Sequence, residues 1–231
     1  QLNQDALTAC TEAMDQNYTA QKALTKALAD AKSAQSITAD QVADGATVDA
    51  LKKAIAAVKN VEAVECKTSA STSDLKEYAK TATSQTKTAK KNATAITAAA
   101  KAVTDSKNAK DQANAQQALQ GKIAEAQTLL DNSLYAVDDN STRVTLESDI
   151  ANANTVLSQQ GTDVKAMQDA VNTLTASMDA VNTSMANYSA AVEAQRAQSQ
   201  YRYRYSNQRT TTTTTDPTPD PDPTPDPDPT P

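Results

Sequence analysis

The sequence predicts an all-α protein, an elongated antiparallel helical bundle with coiled-coil character, ending in a disordered proline-rich tail. Its 231 residues include no Phe, no Trp and only three Gly, and all eight Pro lie after residue 216. Apolar residues upstream of the prolines recur at helical spacing. Aromatic side chains usually supply the largest buried areas. A core of Ala, Leu, Val, Ile and Met therefore favours helices packed closely in thin bundles.

Two stretches carry small and apolar residues at the alternating spacing of four and three that is typical of a coiled-coil seam. The first comprises Leu75, Ala79, Ala82, Thr86, Ala89, Ala93, Ile96, Ala100 and Val103. The second comprises Val164, Met167, Val171, Leu174, Met178, Val181, Met185, Tyr188 and Val192. Asp74 and Glu77 resemble a capping box at the start of the first. We expect the two seams to pair antiparallel within the chain, and pairing with a second copy is the alternative.

The chain also contains a diverged internal repeat. Residues 45–58 align without gaps on residues 161–174, and each segment has a glycine followed by a polar cap and an apolar helix face. Upstream of each, three apolar residues share the spacing i, i+4, i+7, namely Leu24, Leu28 and Ala31 in one copy and Leu146, Ile150 and Ala153 in the other. The repeat predicts two similar helical modules.

The first copy resembles a FIVAR module, a small three-helix module of Gram-positive bacterial surface proteins. The resemblance rests on the run from Asn17 to Leu24 (Asn-Tyr-Thr-Ala-Gln-Lys-Ala-Leu), on Leu28 and Ala31, and on residues 40–55. Residues 122–188 are similar in their last two helices. The resemblance implies a cell-surface setting and no particular ligand.

These patterns divide the chain into four predicted parts. Residues 1–70 form a FIVAR-like three-helix module and residues 71–121 a heptad helical segment. Residues 122–209 form a second FIVAR-like module with a long last helix, and residues 210–231 form a Thr/Asp/Pro stalk.

The two cysteines, Cys10 and Cys66, are predicted to form a disulfide. In a three-helix up-down-up module the first and third helices run parallel. Cys10 would lie near the end of the first helix and Cys66 just past the end of the third, so both would fall at the same end of the bundle. Metal binding would need further ligands, and no Cys-x-x-Cys redox motif is present. A disulfide requires an oxidising compartment.

A short patch alternates aromatic and basic residues: Tyr201, Arg202, Tyr203, Arg204 and Tyr205. On a strand the three rings would share one face, whereas on a helix only Tyr201 and Tyr205 would align. Tyr and Arg are preferred at interfaces, so the patch is a candidate binding site. The alternative, which we expect, is that the patch ends the last helix and packs on the bundle.

The final segment has a threonine run and then a proline at every second position from Pro217 to Pro231. Such a sequence favours an extended polyproline-like rod that serves as a stalk, and a tail without a role is the alternative. Five of the 28 acidic residues lie in it, which leaves 23 acidic against 22 basic residues elsewhere. A nearly neutral body lacks the basic footprint of a nucleic-acid-binding protein.

Catalytic equipment is sparse in the sequence. The chain has no His, no Gly-rich phosphate loop and no nucleophile elbow. The carboxylate pair Asp138 and Asp139 is interpreted as helix capping. We therefore predict no enzyme activity, no cofactor and no metal, and no apolar run is long enough to span a membrane.

Together these patterns predict an extracellular protein, secreted or displayed on a bacterial cell surface, that acts as a structural, adhesin-type spacer or projecting stalk domain. The alternatives are a binding module for a host glycan or matrix protein, centred on residues 201–205, and a self-associating subunit of an extracellular filament. The sequence does not identify the partner.

Overall fold

The computed structural model describes residues 1–159, 161 and 163–211, and these residues form helices and connecting turns without a strand. The all-α prediction is confirmed. Most of the predicted stalk, residues 212–231, lies outside the described residues. The helices are α1 (Leu2–Asp30), α2 (Lys32–Gln35), a 3-10 turn (Ala39–Gln41), α3 (Ala46–Ala56), α4 (Thr72–Asn132), α5 (Ser141–Ser158) and α6 (Val164–Thr211).

The chain divides into two compact units, and α4 and α6 each contribute to both. The first unit comprises Gln1–Gln120 and Gln159–Gln168; the second comprises Gly121–Ser158 and the chain from Asp169 onward. α4 is one continuous helix of 61 residues. Gly121 lies within it without breaking it.

The main helices of the first unit are α1, α3 and α4 as far as Gln120. The hydroxyl of Thr72 donates to Asn3 at 3.0 Å, and the amide of Asn17 donates to Gln85 at 2.7 Å. Because both sequence positions advance together, α1 and α4 run parallel. The core contains buried side chains from α1, α2, α3 and α4, among them Leu24, Ala34, Leu51, Ile96 and Val103.

Two expectations about this unit were wrong. The first helix does not end near Cys10, because α1 continues to Asp30. The third helix of the bundle is α4, which begins at Thr72, so Cys66 precedes that helix instead of following it. The two cysteines still meet at one end of the bundle, because α1 and α4 start from the same end. They form a disulfide with their Cα atoms 5.9 Å apart.

The predicted seam of α4 does face the core. Leu75, Ala82, Thr86, Ala89, Ile96 and Val103 are buried, and the intervening seam alanines are partly buried. Its partners are α1, α2 and α3. The prediction that this seam pairs with the seam of α6 was therefore wrong. The capping box also lies one turn earlier than predicted, since Ser71 and Asp74 exchange hydrogen bonds.

Both units dock the loop before their middle helix in the same way. In the first unit the amides of Ala43 and Asp44 donate to the carbonyl and hydroxyl oxygens of Ser106, at 3.0 and 2.8 Å. In the second unit the amides of Asp138 and Asp139 donate to the same two oxygens of Ser184, at 3.1 and 2.8 Å. In each unit, one serine thus accepts hydrogen bonds from two backbone amides that would otherwise lack partners; Ser106 is half-buried and Ser184 is buried.

This shared geometry changes the register of the internal repeat. It makes α3 equivalent to α5, and it makes the part of α4 around Ser106 equivalent to the part of α6 around Ser184. The predicted alignment instead placed Gly45 on Gly161. The two glycines differ in conformation: Gly45 has φ −60°, in the right-handed helical region, whereas Gly161 has φ +78°, in the left-handed region. The apolar face of each helix was predicted correctly, but the wrong helices of the two copies were matched with each other.

Asp139 caps α5, as the interpretation of the Asp138 and Asp139 pair as a helix cap predicted. The hydroxyl and the backbone amide of Ser141 donate to its carboxylate at 2.7 and 2.8 Å. These hydrogen bonds, the hydroxyl's first, lower the pKa of Asp139 below its ordinary value. The charged form is therefore the one that holds the start of α5.

Arg143 closes the turn between α4 and α5, a role the sequence did not suggest. Its guanidinium donates to the carbonyl of Leu130 at 3.0 Å, to the hydroxyl of Ser133 at 3.1 Å and to the side chain of Asn140 at 3.2 Å. Leu130 and Ser133 lie at the end of α4, where carbonyl groups lack partners within the helix. Arg143 therefore supplies a C-terminal cap from the next helix.

We expect Arg143→Ala to lower the free energy of unfolding by roughly 2 kcal/mol, because it leaves the buried Ser133 hydroxyl and the Leu130 carbonyl with fewer partners. Chemical denaturation followed by circular dichroism measures the change. Arg196→Ala is the matched control, since Arg196 is an exposed arginine on a helix surface. Equal stability of the two variants would contradict the capping role.

Candidate recognition surface at the end of the last helix

α6 is covered along its first half and uncovered along its second. Within the second unit, Leu174, Ser177, Val181 and Ser184 are buried on its inner face. Ser177 donates to Asp149 of α5, and Ser184 accepts from Asp139. From Ala186 to Ser206, by contrast, every side chain is exposed except that of Val192, which is half-buried.

The predicted seam of α6 is buried or half-buried as far as Met185, and Tyr188 is its one exposed member, with 39% of its surface exposed. Val192, its last member, is half-buried. Heptad spacing continues past Met185 in the sequence, yet spacing alone does not provide a helix to pack against. About six turns of α6, from Ala186 to Ser206, are thus exposed to solvent on nearly every side.

The predicted aromatic and basic patch lies on this uncovered part of α6. Tyr201, Tyr203 and Tyr205 are 72%, 70% and 62% exposed. The expectation that they pack on the bundle was wrong. The helical alternative for their arrangement is confirmed: the rings of Tyr201 and Tyr205 stack, with centroids 6.4 Å apart and planes inclined by 19°.

The arginines of the patch flank this ring pair. Residues three or four positions apart on a helix are neighbours, so Arg204 lies beside Tyr201 and Arg202 lies beside Tyr205. All four residues share one side of α6, with one arginine on each flank of the rings. Among the described residues, neither guanidinium forms an ion pair or a hydrogen bond. Tyr203 lies on the opposite side, where Arg196 is seven residues before it.

Arginine and lysine are distributed unevenly along the chain, and this distribution is a sequence signal for the patch that period-two spacing does not contain. Four of the five arginines lie between residues 196 and 209, whereas all 17 lysines lie at or before Lys165. Between residues 186 and 209 these four arginines face a single acidic residue, Glu193. The end of α6 is therefore positively charged in a chain whose net charge is −6.

The remaining surface offers less developed candidates. A shallow apolar cleft of ≈270 Å³ lies between α2 and α3 and includes Leu51 and Ile55. A wider groove beside residues 62–70 is lined by several carboxylates and Tyr78. In the described part of the chain, no three Cys, Asp or Glu side chains are grouped closely enough to hold a metal ion.

The chain matches no known family model, and no curated protein and no solved structure is recognisably similar to it. None of the described helices combines the length and the apolar character needed to cross a membrane.

We expect the triple substitution of Tyr201, Tyr203 and Tyr205 by Ser to change the free energy of unfolding by less than about 0.5 kcal/mol, because the rings bury little surface. Thermal melting of the full chain measures the effect. A destabilisation of several kcal/mol would mean that the rings pack on the bundle after all.

Proposed function

We propose that the protein is an extracellular, surface-displayed helical protein of the adhesin type, which projects the end of α6 beyond the packed helices of the second unit. The observation that carries the proposal is the uncovered stretch of α6 from Ala186 to Ser206. Its exposed tyrosines and arginines directly precede the Thr/Asp/Pro segment. A helix that buries neither its rings nor its charges within the chain has them available for contact outside it.

The disulfide supports the extracellular setting. Cys10 is fully buried and bonded to Cys66, and such bonds persist in oxidising compartments. The regular Asp-Pro and Thr-Pro spacing after residue 215 is typical of segments that hold a domain off a surface. The FIVAR-like run in α1 is a further, independent argument for a Gram-positive cell surface.

Protease treatment of intact source cells tests the proposal. Antibodies raised against residues 1–206 should label intact cells or detect the protein in the medium. Brief trypsin treatment should release the label before any cytoplasmic marker appears. Labelling only after lysis would contradict an extracellular protein, and free thiols at Cys10 and Cys66 in the native protein would do the same.

The second candidate is a binding module proper, and the exposure of the ring pair in α6 favours it over a passive spacer. The third, a filament subunit, relies on the uncovered helix associating with other copies. Light scattering over a range of concentrations separates the third from the others, because only polymerisation makes the apparent mass rise with concentration. Host glycans and matrix proteins are the proposed partners of a binding module.

A further inference from the structure

We propose that Tyr201, Arg202, Arg204 and Tyr205 form a binding site for acidic polysaccharides, with the ring pair contacting a sugar and the arginines contacting its carboxylate or sulfate groups. This inference rests on the proposed extracellular function and specifies its ligand.

The stacked rings provide the flat part of the site. Tyr201 and Tyr205 stack with their planes inclined by 19°, so the pair presents aromatic surface to a ligand along one turn of α6. Both rings are mostly exposed, and no part of the described chain covers them. Tyr combines an apolar ring with a hydroxyl, which suits a ligand that presents both C–H and O–H groups.

The arginines provide the charge. One lies on each flank of the ring pair, at a spacing of three residues from a tyrosine, so a chain-like ligand crossing the rings would meet a guanidinium on either side. Guanidinium is planar and donates two parallel hydrogen bonds to a carboxylate or to an oxyanion of similar shape. The exclusive use of arginine in this stretch, in a chain that otherwise relies on lysine, matches that geometry.

An acidic polysaccharide fits these features better than a nucleic acid or a protein. Single-stranded nucleic acids carry a charge on every nucleotide and are bound in long basic grooves, whereas this site has two arginines on one convex face. A stable protein partner needs roughly 800 Å² per side with an apolar centre. The four residues of the site lie within little more than one turn of a single helix, which offers much less surface than that.

Binding of the full chain to polysaccharides in solution tests the proposal. The probes are heparin as a sulfated chain, polygalacturonate as a carboxylated chain, dextran as a neutral chain and a single-stranded oligothymidylate. We expect heparin or polygalacturonate to bind, dextran to bind weakly or not at all, and the affinity to fall as salt rises. Failure of both acidic chains to bind would overturn the proposal.

Matched variants separate the site from general charge and aromaticity. We expect Arg202→Gln with Arg204→Gln, and separately Tyr201→Ser with Tyr205→Ser, to weaken binding by about tenfold or more. Lys90→Gln with Lys91→Gln removes the same charge from exposed positions on α4, and Tyr18→Ser with Tyr135→Ser removes two exposed rings elsewhere. Neither control pair should change the affinity more than about twofold.

Three results would reject the assignment. An equal loss of affinity in the lysine double variant would mean non-specific electrostatic attraction. Binding of dextran as tight as that of the acidic chains would remove the role of the arginines. Tighter binding of the oligothymidylate than of either acidic polysaccharide would identify a nucleic-acid site. These measurements use purified protein, so they are independent of the test of surface display. Surface display without polysaccharide binding would refute this inference alone, and binding by a protein found only inside cells would refute the proposed function.

Discussion

Removing the disulfide between Cys10 and Cys66 should lower the free energy of unfolding of the first unit by roughly 4 kcal/mol. The bond joins residues separated by 56 positions. By the chain-entropy argument, a cross-link that closes a loop of this length stabilises the folded state by about this amount, because it restricts the unfolded chain. This amount is a large fraction of the stability of a unit whose main core cluster holds five alanines among eleven buried residues and no aromatic side chain.

Two versions of the experiment isolate the cross-link from the chemistry of the substituted side chains. Urea unfolding of the native protein is compared with and without a reductant, and then with the double variant Cys10→Ala and Cys66→Ala. Cys10 is fully buried, so a serine there would add a buried hydroxyl, whereas alanine does not. The reductant should leave the double variant unchanged. A reduced native protein as stable as the oxidised one would show that the loop is already held without the bond.

Hydrogen bonds also hold the segment that precedes Cys66 in place. The side chain of Gln85 donates to the carbonyl of Glu62 at 2.9 Å and accepts from the buried Asn17 at 2.7 Å. This chain of hydrogen bonds ties the segment before Cys66 to both α1 and α4. Reduction should therefore loosen the chain around Cys66 before it separates α1 from α4, since the hydrogen bond between Asn17 and Gln85 survives it.

The helix faces could be predicted from the sequence because they follow a local rule. Burial of Leu75, Ile96 and Val103 follows from their spacing, and so does that of Leu174 and Val181 on α6. Spacing identifies the face that packs, but it contains no information about which helix packs on it. The wrong pairing of the two seams has this cause.

The register of the repeat was missed because it depends on hydrogen bonds between distant residues. Asp44 and Asp139 are each followed three positions later by a threonine, whose hydroxyl donates to the carbonyl of that aspartate. The short Asp-x-x-Thr pattern was visible in the sequence, but the glycine pattern was longer and misleading. Ser106 and Ser184 accept the backbone hydrogen bonds of these two loops but lie far from them along the chain, so no local pattern links them.

The patch on α6 was found from its period-two alternation of Tyr and Arg, but its exposure was not predicted. Exposure depends on where the bundle ends, and the sequence of α6 keeps its heptad spacing as far as Val192. One difference between the two halves of α6 is visible in the sequence: the inner face of the packed half consists largely of Leu, Val and Met. After Val192 the helix contains only alanine and polar or aromatic residues.

Shortening Ile96 to Ala should destabilise the first unit by about 2–5 kcal/mol. Ile96 is fully buried in the core formed by α1, α3 and α4, and several of its neighbours in that cluster are alanines. Alanine side chains have no rotamers with which to fill space that a neighbour vacates. The structure around position 96 can therefore collapse only by moving whole helices, and the cavity term should be near the upper part of its usual range.

The measurement is the shift in the urea midpoint of the oxidised protein, with Val61→Ala as the matched control. Val61 keeps 44% of its surface exposed, so its shortening removes few contacts and should cost well under 1 kcal/mol. Ile96→Val, which removes one methyl group from the same site, should fall between the two at about 1 kcal/mol. If Ile96→Ala costs no more than Val61→Ala, the alanine-rich helices close up around the gap and the rigid-core argument is wrong. The cost at position 96 thus measures how tightly α1 and α4 are held apart by the few large side chains between them.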